Sequence, residues 1–236
     1  MPGVRFNFKI MLREYSRKRN NSSMQEGLLP LFPLEVVLFP GRELPLHIFE
    51  ERYREMIGEA RRDGTEFGIV LASEGGLVTT GCTAAIERVL REYPDGRLDI
   101  LTRGKRRFEI LLVNEERSFL RGAVEFFDDE EDGPPSEIQL SLRGVAIAAY
   151  DALQSLNEGA PLDAAGQADP LLSFRLAQAV NDLAFRQSIL SLRRESERIE
   201  RLAQFLPGWA TSQLRVQNIK TVAPSNGHGH RKVPGQ

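Results

Sequence analysis

The side chains with the widest chemical reach in this chain are few and scattered. Cys82 is the single cysteine, and histidine occurs three times, as His47, His228 and His230. A nucleophilic thiol needs a base beside it, and no histidine stands near Cys82 in the sequence, so Cys82 reads as a small buried core residue of a strand. His47, between Leu46 and Ile48, reads as structural. His228-Gly229-His230 could chelate a metal weakly, but a site needs a third ligand in a fixed geometry. Asp128 to Asp132 is a run of five acids. Their side chains point in different directions and follow no calcium-loop spacing, so a solvated linker is expected there. Gly104-Lys105 is the only Gly-Lys pair, and Arg106 stands where a phosphate-cradling loop would need a magnesium-binding hydroxyl. With no Ser/His/Asp order and no paired carboxylates in an apolar setting, general acid-base chemistry has few candidates. No catalytic residue, metal or cofactor is assigned.

The elements that would position any site begin with Leu28 to Phe49, which packs four prolines into an otherwise apolar run. Proline lacks the backbone donor and holds the preceding residue extended, so the run predicts short kinked strands with a turn at Pro40-Gly41. A helix is expected over Glu50 to Asp63, with Phe49, Tyr53, Met56, Ile57 and Ala60 on one face, Glu50 and Glu51 in the first turn, Arg61 and Arg62 in the last and Gly64 as the stop. Strands are predicted at Glu66–Ala72, Thr80–Tyr93, Leu98–Arg103, Arg107–Val113 and Phe119–Phe126, with turns at Gly75-Gly76, Pro94-Asp95-Gly96 and Asn114 to Ser118. Such strands suit a small, partly closed barrel.

Asp128 to Pro135 is too charged to bury and too proline-rich to continue a sheet, and beyond it the apolar period becomes helical. Ile138, Leu142, Val145, Ala149, Leu153 and Leu156 share one face of a helix from Ser136 to Asn157. Asp169-Pro170 opens the next helix, with Leu172, Leu176, Ala179 and Val180 inward. Further helices are expected over Phe185 to Leu192 and Leu192 to Leu206, the latter burying Leu192, Ile199, Leu202 and Leu206 and ending at Pro207-Gly208. The organisation expected is a basic leader (1–26), a β-rich subdomain (27–127), an acidic linker (128–135), a helical subdomain (136–220) and a tail (221–236). Leader and tail are expected to be disordered, although Val4 to Arg13, with alternating Phe6, Phe8 and Ile10, could serve as an amphipathic arm.

With 236 residues and 41% hydrophobic content, the chain can bury one substantial core or two small ones. The leader holds 6 of the 31 Lys/Arg and 2 of the 33 Asp/Glu, leaving 25 basic against 31 acidic groups in the remainder. That acidic balance argues against nucleic acid as the partner. One cysteine, no secretory segment and no membrane span point to the cytoplasm.

Leu28 to Phe49, with its leucine-proline-leucine, hydrophobic run, phenylalanine-proline and proline-leucine in order, resembles the start of the amino-terminal, substrate-binding domain of the Lon family of ATP-dependent proteases. Gly81-Cys82-Thr83-Ala84, Pro94-Asp95-Gly96 and the glycine-x-x-arginine of Gly104 to Arg107 look like the family's glycine-led strand, hairpin and following segment. Asp169-Pro170 and Arg186 to Leu190 look like its helical half, so the similarity covers roughly Leu28 to Leu206. What the resemblance implies is an α+β fold, a PUA-like small β-barrel followed by a helical bundle, standing free of the motor and the Ser-Lys protease region. It implies a non-catalytic module that binds unfolded or degradation-prone polypeptide, or an adaptor for a protease or chaperone. Candidate contacts are Phe32, Phe39 and Trp209, aromatics for which core packing is the competing use. The alternative is an RNA-binding PUA-like domain using Arg103, Lys105, Arg106 and Arg107 on a hairpin. In the structural view of Arg107, an ion pair or carbonyl contact fixes that hairpin.

Overall fold

The computed structural model describes residues 27–73 and 76–222, the last four by backbone alone. The expectations for the leader, for Gly75 and for the tail beyond Val222 lie outside the described residues. The chain divides into two compact units, Met1–Phe127 and Asp128–Gln236.

In the first unit the proline-rich opening forms β1 (Leu29–Leu34) and β2 (Glu43–Ile48), followed by α1 (Glu51–Asp63), β3 (Phe67–Ser73), β4 (Gly76–Glu92), β5 (Leu98–Asn114) and β6 (Arg121–Phe127). The sheet order is β2-β5-β4-β3-β1-β6, and an additional β5–β6 pairing closes β5, β4, β3, β1 and β6 into a ring. β1 runs parallel to β3, with Leu31 opposite Gly68, and the other pairings are antiparallel. β2 is the one strand outside the ring among those described, an edge position that accommodates Pro45. The small barrel is filled by Leu31, Val70 and Phe108, packed against Leu29, Leu77, Ile110, Leu120 and Val124. Gly68 and Gly81 leave space for the Phe108 ring, since a Cβ on either would lie 2.6 or 2.5 Å from its Cζ.

The α1 helix follows its sequence pattern. Tyr53, Met56, Ile57 and Ala60 are buried, Glu51 and the Arg61-Arg62 pair sit at the dipole-favourable ends, and Gly64 closes the helix at φ 64°. Phe49 departs from it: expected on the inward face, it precedes the helix and is 60% exposed.

The hairpin expected at Arg103 to Arg107 is absent, because β5 is one strand of 17 residues. Cys82 pairs with Arg107 and Ala84 with Gly104, so Thr83 opposes both Lys105 and Arg106 in a β-bulge. The Thr83 hydroxyl takes the Arg106 amide at 3.0 Å. The bulge interrupts the period-two pattern without ending the strand, which is why the residues suggest two strands.

Cys82 is fully buried in β4, and burial pushes its thiol up to about 12. As the thiolate is the reactive form, native protein at pH 8 is expected not to react with Ellman's reagent over minutes, and to release one equivalent after denaturation. Fast reaction of the native chain would show that β4 opens readily.

The second unit starts where the acidic run turns back on the helices. Ser136 caps α2 (Glu137–Leu156) in a capping box with Gln139. Asp163 caps the short α3 (Ala164–Gln167), and Asp182 caps α5 (Leu183–Ser191). Between these, Asp169 accepts from the Leu171 amide at 2.8 Å one turn before α4 (Leu172–Ala177), so the Asp-Pro step tightens the entry and the regular helix begins two residues after Pro170. The last helix, α6 (Glu195–Val222), continues through Pro207, where a stop was expected. Proline removes one intrahelical bond, and the burial of Leu206 and Ala210 on either side keeps the helix on the core. Leu172, Phe174, Leu176, Val180, Leu202 and Leu206 form the centre of that core.

The α2 helix corrects the sequence expectation. Its buried face is Ala146, Ala149, Tyr150 and Leu153, from the middle of the helix onward, whereas Ile138 is 73% and Val145 43% exposed. The amino-terminal two turns carry apolar side chains that their own unit leaves uncovered.

Candidate functional site

The sequence-derived candidates part company in the structure. Phe32 and Phe39 are buried, with the Phe32 ring centroid 4.1 Å from that of Tyr53, so they cannot form the exposed apolar surface expected of them. Trp209 is half-buried on α6, stacked 5.8 Å from Phe205, which in turn stacks 3.9 Å from Phe185. It borders a cleft of ≈ 400 Å³ shared with Leu153, Leu156 and Val216.

The basic residues of β5 are largely engaged. Arg103 pairs with Glu43 at 2.7 Å and with Glu87, and that hydrogen bond holds the Glu87 carboxyl below its usual range. Arg107 is buried, with its guanidinium 4.6 Å over the Phe127 ring. Arg106 lies 3.9 Å over Phe126 and 3.5 Å from Glu66. Lys105 is exposed beside it on the bulge. Two of the four cations therefore face outward, both near acids, a weak footprint for a phosphate backbone.

His47 takes part in a cross-strand pair that its neighbours in sequence do not betray. Its Nδ1 lies 2.5 Å from Asp99 Oδ1, and Tyr93 Oη donates to Asp99 Oδ2 at 2.8 Å. The His47 bond first, and then the Tyr93 bond, hold the Asp99 carboxyl below its usual range. Only the β2–β5 register, which places His47 opposite Asp99, reveals the pair. Among the described residues no group of three or more His, Cys, Asp or Glu could hold a metal.

A different site is assembled in the second unit. The acidic segment expected to be a solvated linker is docked on the start of α6. Asp129 and Glu195 grip the guanidinium of Arg198, whose side chain is completely buried, and Asp132 accepts from the Ser196 amide and hydroxyl at 2.9 and 2.6 Å. Burial works against the Arg198 charge, but these carboxylates outweigh it and raise the pKa above its ordinary value. Glu130 adds an exposed pair with Arg194 at 2.8 Å. The charges bury because the partner comes from 69 residues away, beyond any local pattern.

This docking leaves an open cleft of ≈ 430 Å³ between Asp132 to Pro135, the start of α2 and the start of α6. Its floor is Pro135, Leu140, Leu142 and Ile199, with Leu140 54% exposed. Such an apolar floor can hold apolar side chains noncovalently. The sequence carried one trace of it: Leu140 lies two residues off the Ile138–Leu142–Val145 stripe, so α2 has more apolar faces than one core can cover.

A closed small barrel followed by a helical unit with an apolar cleft is an α+β binding architecture. The chain belongs to the family described as the ATP-dependent protease La (LON) substrate-binding domain, which matches residues 28–212. A stretch of 110 residues, 43% of this chain, is 36% identical to the Lon protease of Parabacteroides distasonis but covers 13% of that protein. The Lon protease of Porphyromonas gingivalis is 24% identical over 219 residues, which cover 86% of this chain and 25% of that protein. The chain thus spans a quarter or less of the curated relatives named here. The crystal structure of a Lon N-terminal domain protein from Xanthomonas campestris superposes with a TM-score of 0.60 at 28% identity, covering 76% of this chain and 99% of that one. The N-terminal domain of a Mycobacterium avium complex Lon protease, 16% identical with a TM-score of 0.52 and covering 78% of this chain and 98% of that one, shares the fold.

Proposed function

We propose that this chain binds unfolded or degradation-prone polypeptide through the cleft between α2 and α6, and serves a protease or chaperone partner as a recognition module or adaptor. The observation that carries this is the uncovered apolar surface of α2, Ile138 at 73% and Leu140 at 54% exposure, beside a preformed apolar cleft in a member of a substrate-binding family. Unfolded chains differ from folded ones in the apolar side chains they offer, and a concave apolar site rewards that difference. Among the described residues no helix is long and apolar enough to cross a membrane. The single buried thiol suits a reducing compartment, and we place the protein in the cytoplasm.

The test is fluorescence anisotropy of the full chain with a labelled, reduced and carboxymethylated protein that cannot fold. Ile138→Asp with Leu140→Asp is expected to weaken binding about tenfold or more, since burying each aliphatic side chain is worth about 1.5–3 kcal/mol and 1.4 kcal/mol is tenfold. Both positions are exposed, so the circular dichroism spectrum is expected to be unchanged. Lys105→Glu with Arg106→Glu is expected to leave affinity as it was. Loss with the Lys105 and Arg106 pair and none with the α2 pair would overturn the assignment in favour of β5.

A further inference from the structure

Resting on the reading of the cleft as a polypeptide site, we propose that it selects apolar segments flanked by lysine or arginine. The charges at its wall are unequal. Asp132, Glu195 and Glu200 line it against one cation, Arg143, whose guanidinium donates to the Gln167 carbonyl. Glu195 is neutralised by Arg198. Asp132 and Glu200 instead take hydrogen bonds from neutral groups, the Ser196 amide and hydroxyl and the Gln204 amide, with Arg194 and Arg198 acting on Asp132 through space. Residues 128–143 hold six carboxylates and one arginine, and 193–200 hold three of each, so the surround carries a formal charge of −5. An apolar side chain entering the floor brings its sequence neighbours to this rim. Lysine or arginine there gains Coulomb attraction, while aspartate or glutamate is repelled. Glu200 is the position to vary, because it is exposed and caps no helix.

Two fluorescein-labelled twelve-residue peptides with the same four-residue Leu-Ile-Phe-Val core, one flanked by lysines and one by glutamates, are titrated with the full chain. The lysine peptide is expected to bind about tenfold more tightly at 50 mM salt, the ratio falling below about threefold at 0.5 M salt, where the Debye length is only about 4 Å. Glu200→Lys is expected to cut the low-salt ratio by about threefold or more. Equal binding of both peptides, or preference for the glutamate peptide, would overturn the charge preference and leave the cleft reading standing. A lysine preference untouched by both salt and Glu200→Lys would place the selectivity elsewhere. Failure of both peptides to bind, together with failure of the carboxymethylated protein, would overturn the cleft reading itself.

Discussion

Arg198→Ala is expected to lower the stability of the helical unit by about 3–5 kcal/mol, the range for breaking a buried ion pair from one side. The Arg198 side chain is wholly buried and makes its bonds in every direction available to a guanidinium. Nη1 donates to Asp129 at 2.8 Å and to the Leu192 carbonyl at 2.9 Å, Nε to the Ser173 hydroxyl at 2.8 Å and Nη2 to Glu195 at 2.8 Å. Its Cζ lies 4.4 Å above the Phe174 ring. Alanine would leave two carboxylates without their shared counter-charge and a void against an aromatic face. Lysine keeps the charge but lacks the planar fork, so Arg198→Lys is expected to recover only part of the loss. Because Asp129 is held by Arg198 within the segment that leads to Asp132 and Pro135, the cleft wall should loosen as well, and binding of the carboxymethylated protein should fall with stability. Urea unfolding followed by circular dichroism measures the first, anisotropy the second. A loss below about 1 kcal/mol would mean that the pair behaves as a solvated surface contact.

Gly104→Val is expected to destabilise the barrel by about 3 kcal/mol or more, from overpacking of about 1–3 kcal/mol and the loss of two hydrogen bonds of about 1 kcal/mol each. A Cβ at this position would stand 2.2 Å from the Phe39 carbonyl oxygen and 2.9 Å from its carbon, both backbone atoms with no rotamer to relieve the clash. The same residue exchanges backbone bonds with the turn, Gly41 N to Gly104 O and Gly104 N to Arg42 O, both 2.9 Å. The glycine of the glycine-x-x-arginine segment is thus the seat on which the 39–42 turn rests, and the buried Arg107 stacks three residues on. Thermal unfolding of Gly104→Val and Gly104→Ala against the parent checks this. A valine variant as stable as the parent would mean that the turn does not rest on β5.

What could be read from the residues follows from the range over which their interactions act. The α1 helix was legible because its stripe, end charges and stop residue are all local. The kinked opening strands were legible because proline restricts its own backbone. The exceptions each depend on something distant. β5 looks like two strands until Thr83 of the neighbouring strand absorbs its extra residue. The α6 helix passes a proline because tertiary packing outweighs one missing bond. The acidic segment looks solvated until Arg198 is placed against it. Phe32 and Phe39 looked dispensable to the fold because the α1 helix and β5 that bury them lie further along the chain. The cleft was hidden for the opposite reason: the Ile138 to Val145 stripe obeys helical spacing, and only burial shows that its own unit does not cover it.

Amide hydrogen exchange of the full chain, with and without saturating carboxymethylated polypeptide, maps the bound surface. Slowed exchange is expected over residues 132–145 and 195–200, with β4 and β5 around Lys105 unchanged. Protection confined to the bulge at Lys105 and Arg106, or no protection at the cleft while polypeptide is bound, would mean that the cleft is not the polypeptide site.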